Sequence, residues 1–227
     1  MQNVPLYISI LFVLATIYSV FMFVKAANSN KRVLYILLAW LAFQGLIAFS
    51  GFYTKTNGIP PRLMLTIGPA FLCLILLFVT EKGRRFLDEL DIQKLTLLHL
   101  VRVPVEIVLF GLFVHKAIPQ VMTFEGNNLD ILSGITAPFI FYLTRNNTIS
   151  KLLLVWNIVC LGLLLNIVIT AVLAAPFDFQ KIAFEQPNIA ILYFPYIWLP
   201  ACIVPLVLLS HLASIRQLLH KPHFNFT

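Results

Sequence analysis

The chain has 227 residues, of which 60% are hydrophobic and only 11% charged, with a mean hydropathy of +0.91. Water-soluble domains are about 45–50% apolar and about 25% charged, so the composition excludes an ordinary soluble fold and points to an all-α polytopic membrane protein. The net charge of +7 would suggest nucleic acid in a soluble chain, but here the basic residues stand at the ends of apolar runs, where they anchor and orient helices, and nucleic acid is set aside as a partner.

Seven apolar segments are predicted: 4–24, 33–53, 63–80, 95–116, 129–144, 152–174 and 191–212. Most approach the ~20 residues that cross a ~30 Å hydrocarbon layer. The apolar blocks are continuous and lack the short alternating pattern of an outer-membrane barrel. Of the 16 Lys and Arg, eleven fall on one set of alternate connections, four on the other, and Arg102 lies inside a span. The positive-inside rule then puts the N-terminus outside and the C-terminus in the cytoplasm. The expectation is a single seven-helix bundle in a cell membrane, a bacterial inner membrane, with membrane lipid as its surroundings.

Taken in order, the first two spans are apolar almost all round, apart from Trp40, Gln44 and a few hydroxyls, as suits helices facing lipid. Met1 to Pro5 lacks the basic region of a signal peptide, so the first segment reads as a retained helix. Gln44 is expected to hydrogen-bond a neighbouring helix. Asn57-Gly58 and Pro60-Pro61 predict a turn leading into the third span. Residues 81–94 mix charges with Phe86, Leu87, Leu90 and Lys94 at helical spacing, a short helix lying at the interface, where Lys82-Gly83-Arg84 would attract lipid head groups.

The fourth segment holds the chemistry. Ionisable groups inside a span are costly and turn towards the protein interior. At 100° per residue, Arg102 lies about 60° and Glu106 about 20° from His99, while Pro104 lies roughly opposite, so one stripe carries a base, a cation and an acid. Pro104 removes the N–H that would bond the Leu100 carbonyl. Arg102 and Glu106, four apart, are placed to neutralise each other. Alternatively Arg102 holds an anionic group while Glu106, near the midplane, carries a proton or cation and His99 relays it.

The fifth segment is the shortest and carries Pro138. Asn127 or Asn128 can cap it and Asp130 in its first turn is favoured by the positive dipole end, and Gly134 beside Pro138 suggests a broken helix whose free backbone groups line a cavity. In the sixth, Asn157 and Asn166 are nine apart and point to opposite sides, and Gly162, Asn166 and Thr170 form a small-residue seam suited to close helix contact. The seventh contains Pro195, Trp198, Pro200 and Pro205, which predict a kinked or partly unwound helix. His211 near its end, at a depth comparable with His99, reads as a cation favoured by the helix C-terminus before it reads as a ligand.

The candidate substrate site is accordingly His99, Arg102, Glu106, Asn128, Asp130, Asn157, Asn166, Trp198 and His211. No lysine stands inside the last two segments, which disfavours a retinal Schiff base. No zinc-hydrolase, nucleophile-elbow or phosphate-loop spacing occurs, and a metal bound by His99, Glu106 and His211 would need assembly across helices, so neither metal nor cofactor is expected. Cys73, Cys160 and Cys202 read as space-filling residues. The sequons Asn146-Asn147-Thr148 and Asn225-Phe226-Thr227 fall on the expected cytoplasmic side and read as chance.

Three functions fit: movement of a small polar or anionic substrate, with or without protons; an intramembrane enzyme acting on a lipid or isoprenoid with Glu106, Asp130 and His99 as catalytic groups; and a ligand-sensing receptor using the connections 82–94 and 145–151 to meet a partner. A three-plus-one-plus-three sugar-transporter layout agrees in helix number and orientation, but makes the fourth span a linker, whereas here it is the most charged.

Overall fold

The computed structural model describes residues 4–144 and 150–220, and both sequons, Arg145 and Lys221 lie outside the described residues. All regular elements among the described residues are helical. They are α1 (Leu6–Ala26), α2 (Lys31–Phe49), α3 (Met64–Val79), α4 (Glu81–Glu89), α5 (Ile92–Leu98), α6 (Arg102–Val114), α7 (Ile131–Thr144), α8 (Ser150–Leu173) and α9 (Val204–His220). Among the described residues five helices are long and apolar enough to cross a membrane: α1, α2, the α5–α6 segment, α8, and α9 with the turn before it. The number becomes six if α3 and α4, bent by 91°, are one interrupted span. The remaining apolar helix, α7, has 14 residues.

The ends of these helices follow from side chains that satisfy their free N–H groups. Asn30 Oδ1 accepts from Arg32 N at 2.9 Å, and Asp91 Oδ1 accepts from Gln93 N and Lys94 N at 3.0 and 3.1 Å. At the α3–α4 corner Thr80 Oγ1 accepts from Gly83 N at 3.1 Å. A Cβ on Gly83 would stand 2.5 Å from Leu77 Cα, so the corner closes only over glycine. The short helix expected over 81–94 is shorter: α4 stops at Glu89, Leu90 ends it and Lys94 belongs to α5, while Leu87 is buried against the bundle and Lys82 and Arg85 are exposed.

The α5–α6 segment is the centre of the bundle, packed on by α1, α7 and α9. One 3₁₀ turn, His99–Val101, separates its halves just before Pro104. Proline-freed carbonyls are satisfied elsewhere by α2. Pro69 cannot bond the Leu65 carbonyl, which accepts from Gln44 Nε2 at 3.3 Å, and Pro205 cannot bond the Ala201 carbonyl, which accepts from Trp40 Nε1 at 2.9 Å. Each proline leaves an acceptor that would be costly in hydrocarbon, and one long donor on α2 reaches it. Gln44 Oε1 also accepts from Tyr53 and Thr66, so the expected neighbour contact becomes a buried three-residue network.

Several sequence expectations are corrected. The last helix begins at Leu199, not Ile191: residues 193–198 carry no regular helix, and Leu199–Ile203 form a π-helical turn before α9. Pro195, Pro200 and Pro205 move the helix start and widen its first turn. The seventh segment is thus partly unwound, as expected, with its helix displaced by eight residues. The fifth is not a broken helix, because α7 is continuous through Pro138. Gly134 serves contact instead: a Cβ there would meet Val103 Cγ2 at 2.9 Å and Val103 N at 3.0 Å. Gly162 and Asn166 are exposed, and a Cβ on Gly162 would meet nothing within 4 Å, so the expected seam on α8 makes no helix contact. Cys160 and Cys202 are buried, but Cys73 is exposed and fills no internal space.

Candidate functional site

The polar stripe on the α5–α6 segment meets residues from the 123–130 connection, α8 and α9. Arg102, 3% exposed, donates from Nη1 to Asp130 Oδ1 at 2.6 Å and to the Cys160 carbonyl at 3.4 Å, and its Nη2 lies 3.1 Å from His211 Nε2. The expected pairing of Arg102 with Glu106 is therefore not the one formed. Successive helical turns put the two side chains on one face, but Asp130, delivered by the connection from across the bundle, meets the guanidinium end on.

Glu106 is held differently. Its Oε1 accepts from Asn128 Nδ2, which also donates to the Met122 carbonyl at 3.0 Å, while Asn128 Oδ1 accepts from Asp130 N at 3.0 Å. Asn128 thus folds the connection before α7 and presents one amide to the acid at the same time. Glu106 Oε2 is buried without a hydrogen-bond partner among the described residues.

On the other side of Arg102, His211 is wholly buried in mid-helix, which rules out the helix-end cation reading. A guanidinium only donates, so His211 Nε2 has to accept, which puts the ring proton on Nδ1, 2.8 Å from Asn157 Oδ1. Asn157 Nδ2 in turn donates to the Leu153 carbonyl at 2.8 Å. His99 stacks on His211 with ring centroids 3.9 Å apart and takes Trp156 edge-on at 5.3 Å. Both His99 ring nitrogens lack partners among the described residues. A continuous chain of polar groups therefore runs from Asn157 through His211, Arg102, Asp130 and Asn128 to Glu106.

Two predicted residues stand outside it. Asn166, on the opposite side of α8 from Asn157, is exposed and donates to the Asn127 carbonyl at 3.0 Å. Trp198 donates to the Leu41 carbonyl at 2.9 Å and clamps α2 to the segment before the π turn. Sequence reasoning missed Trp156 as a wall of the histidine pair and Cys160 as a backbone acceptor. Trp156 was legible from its place one residue before Asn157; a carbonyl contribution leaves no mark on residue type.

Beside the chain lies a cavity of about 60 Å³. Arg102, Glu106 and Asp130 stand in its wall, and the rest is apolar, including Leu164, Ile167 and Ile203. Its size suits a few waters or a small organic group. Among the described residues no group of three His, Cys, Asp or Glu side chains is placed to hold a metal ion.

No curated protein and no solved structure matches the chain. Residues 59–219 match the family described as Domain of unknown function (DUF8737), a segment that contains every residue of the polar chain just described. The chain belongs to that family.

Proposed function

We propose that this protein binds a small polar substrate at the Arg102–Asp130–Glu106 centre and moves it across the membrane, coupled to protons through Glu106. The observation that carries this reading is a buried glutamate in the wall of a cavity, beside an ion pair that bridges the α5–α6 segment, the 123–130 connection and, through His211, α9. Such groups persist in a membrane interior when they bind or carry something. An anionic substrate would find both Arg102 Nη atoms engaged and Nε without a partner among the described residues. The proposed arrangement is seven spans, counting α7 and the α3–α4 pair, with the N-terminus outside, and the setting is a cell membrane.

Proteoliposomes with the full chain, given a pH gradient and a mixture of polar metabolites, test it. Accumulation of a solute that depends on the gradient, and loss of that dependence in Glu106→Gln, is expected; no accumulation of any solute would overturn it.

The apolar walls favour one second reading, an intramembrane enzyme acting on a lipid or isoprenoid with Glu106 and Asp130 as acid and base. Turnover of a lipid extract by the purified protein, abolished by replacing either carboxylate, would favour it over the carrier.

A further inference from the structure

We propose that the end of the bundle where α4 lies is a docking surface for anionic phospholipid, with Lys82 and Arg85 of α4 and Lys31 and Arg32 of α2 gripping head-group phosphates of the surrounding leaflet. The inference concerns the rim of the protein and is independent of what the central site carries.

Four sets of contacts gather this end. Asp91 N donates to the Ala26 carbonyl at 2.9 Å and joins the start of α5 to the end of α1. Asn28 Nδ2, in the turn between α1 and α2, donates to the Glu89 carbonyl at 3.4 Å. Gln93 Nε2 donates to the Thr144 carbonyl at the end of α7, and Gln217 Nε2 of α9 donates to the Leu87 and Leu90 carbonyls. The last turns of α1, α7 and α9 therefore share one end with the first turns of α2 and α5 and with all of α4.

The charge on this end is unbalanced. Its elements carry eight Lys and Arg, from Lys25 to Arg216, against the four acids Glu81, Asp88, Glu89 and Asp91. Asp88 is taken by Arg216 in two bonds, and Asp91 by Lys94 at 2.8 Å. Among the described residues Glu81 and Glu89 form no ion pair, so Lys25, Lys31, Arg32, Lys82 and Arg85 stand exposed without a carboxylate partner. Arg84 is different. Its Nη1 donates to the Val79 and Phe78 carbonyls at 2.6 and 3.5 Å and closes the C-terminus of α3, so Arg85 rather than Arg84 joins Lys82 on the outward side of α4. At the opposite end four Lys and Arg stand with three acids, Glu125, Asp178 and Glu185, and no comparable excess arises.

These cations also lie where head groups begin. Exposed apolar side chains follow α3 through Ile75, Leu76 and Val79, and the charges start at Glu81, past the 91° corner. On α1 the exposed Phe21 is followed by Lys25, whose ammonium lies 5.6 Å from the Phe21 ring. On α2 the order is reversed, with Lys31 and Arg32 preceding the exposed Tyr35 and Ile36. On three helices, then, side chains suited to hydrocarbon give way to basic ones. With Leu87 and Leu90 buried inward, α4 lies crosswise and offers Lys82 and Arg85 outward, the arrangement of an interfacial helix on an anionic surface. Cations spread along a rim fit several head groups of one leaflet better than one compact anion.

Native mass spectrometry of the full chain, released from dodecyl maltoside micelles carrying phosphatidylglycerol or phosphatidylcholine with identical acyl chains, tests the assignment. Phosphatidylglycerol is expected to bind about fivefold more tightly, the effect of one basic side chain near an anionic surface. Lys82→Gln with Arg85→Gln should at least halve that preference, and adding Lys31→Gln and Arg32→Gln should remove it. All four side chains are exposed, so the fold is kept. Arg84→Gln should lower the melting temperature and leave the preference as it was, and Lys55→Gln with Lys181→Gln, at the opposite end, should change neither. Equal binding of the two lipids, a preference retained in the fourfold variant, an equal loss in the Lys55 and Lys181 variant, or displacement of phosphatidylglycerol by the same concentration of free glycerol phosphate would each overturn the proposal.

Discussion

Around His211 the polar groups are packed against one another: an imidazole fixed between Arg102 and Asn157, stacked on His99, with Trp156 closing the edge. Around Glu106 the acid has one oxygen tied to Asn128 and the other without a partner among the described residues, and the residue stands in the wall of a mostly apolar cavity. Both regions are buried and both use residue types that are rare in hydrocarbon. The histidine end closes stacked rings over two His99 nitrogens that have no partner among the described residues, whereas at the acid end Glu106, with one such oxygen, stands in the wall of a cavity. Neither burial of a polar group nor an unpartnered atom therefore marks a binding position by itself; a place in the wall of a cavity is what separates the two ends.

Arg102 belongs to both regions, so replacing it breaks the comparison most severely. Arg102→Ala leaves Asp130 buried without its cation and His211 without its donor, a loss of about 3–5 kcal/mol, and denaturation of the purified protein in mixed micelles should register it. Gly134→Ala attacks the frame that both ends share. The added carbon lands on the backbone of α6 beside Arg102, an overpacking cost of about 1–3 kcal/mol, seen as a lowered melting temperature.

Asp91→Ala reaches the same segment from outside the membrane by removing the cap of α5, at about 1 kcal/mol. Burial pushes the Asp91 carboxyl up, but the Lys94 ammonium, 2.8 Å away, and the Lys94 and Gln93 N–H groups outweigh it and hold the carboxyl below its usual range. A group lowered on folding contributes stability above its unfolded pKa and loses it as pH falls through the folded one. The wild type should therefore lose stability in acid below the ordinary carboxylate range, and Asp91→Ala should flatten that part of the profile. Asn166→Ala sharpens the contrast from the other side: exposed and away from the polar chain, it should change stability by no more than about 0.5 kcal/mol and leave any ligand binding unaltered.

The sequence carried the stripe of His99, Arg102 and Glu106 because helical periodicity fixes which side chains share a face. It also carried the opposition of Asn157 and Asn166, for the same reason. It did not carry the partner of Arg102, since an arginine four residues from one acid and 28 from another looks paired with the nearer until the connection is folded. Gly134 was misread because glycine beside proline fits a helix break and a close crossing equally well, and only the position of Val103 separates them. Prolines near Trp198 announced irregularity, but the choice of an extended entry followed by a π turn depended on Trp40 and Trp198 bracing that segment from α2.

At the end of the bundle where α4 lies, Gln217 Nε2 donates to the Leu87 and Leu90 carbonyls at 2.7 and 2.8 Å, and Arg216 grips Asp88 with two bonds of 2.9 and 3.0 Å. The last helix is thus bolted to its floor while its opposite end begins in a loosened coil. If the chamber beside Glu106 widens, the lever must swing about Leu199–Ile203 and cannot slide like a piston, because sliding would tear four anchoring bonds at once. Spin labels at Leu219 and Glu89 should keep their separation in every state of the protein, and a shift there would show the floor moving with the lever.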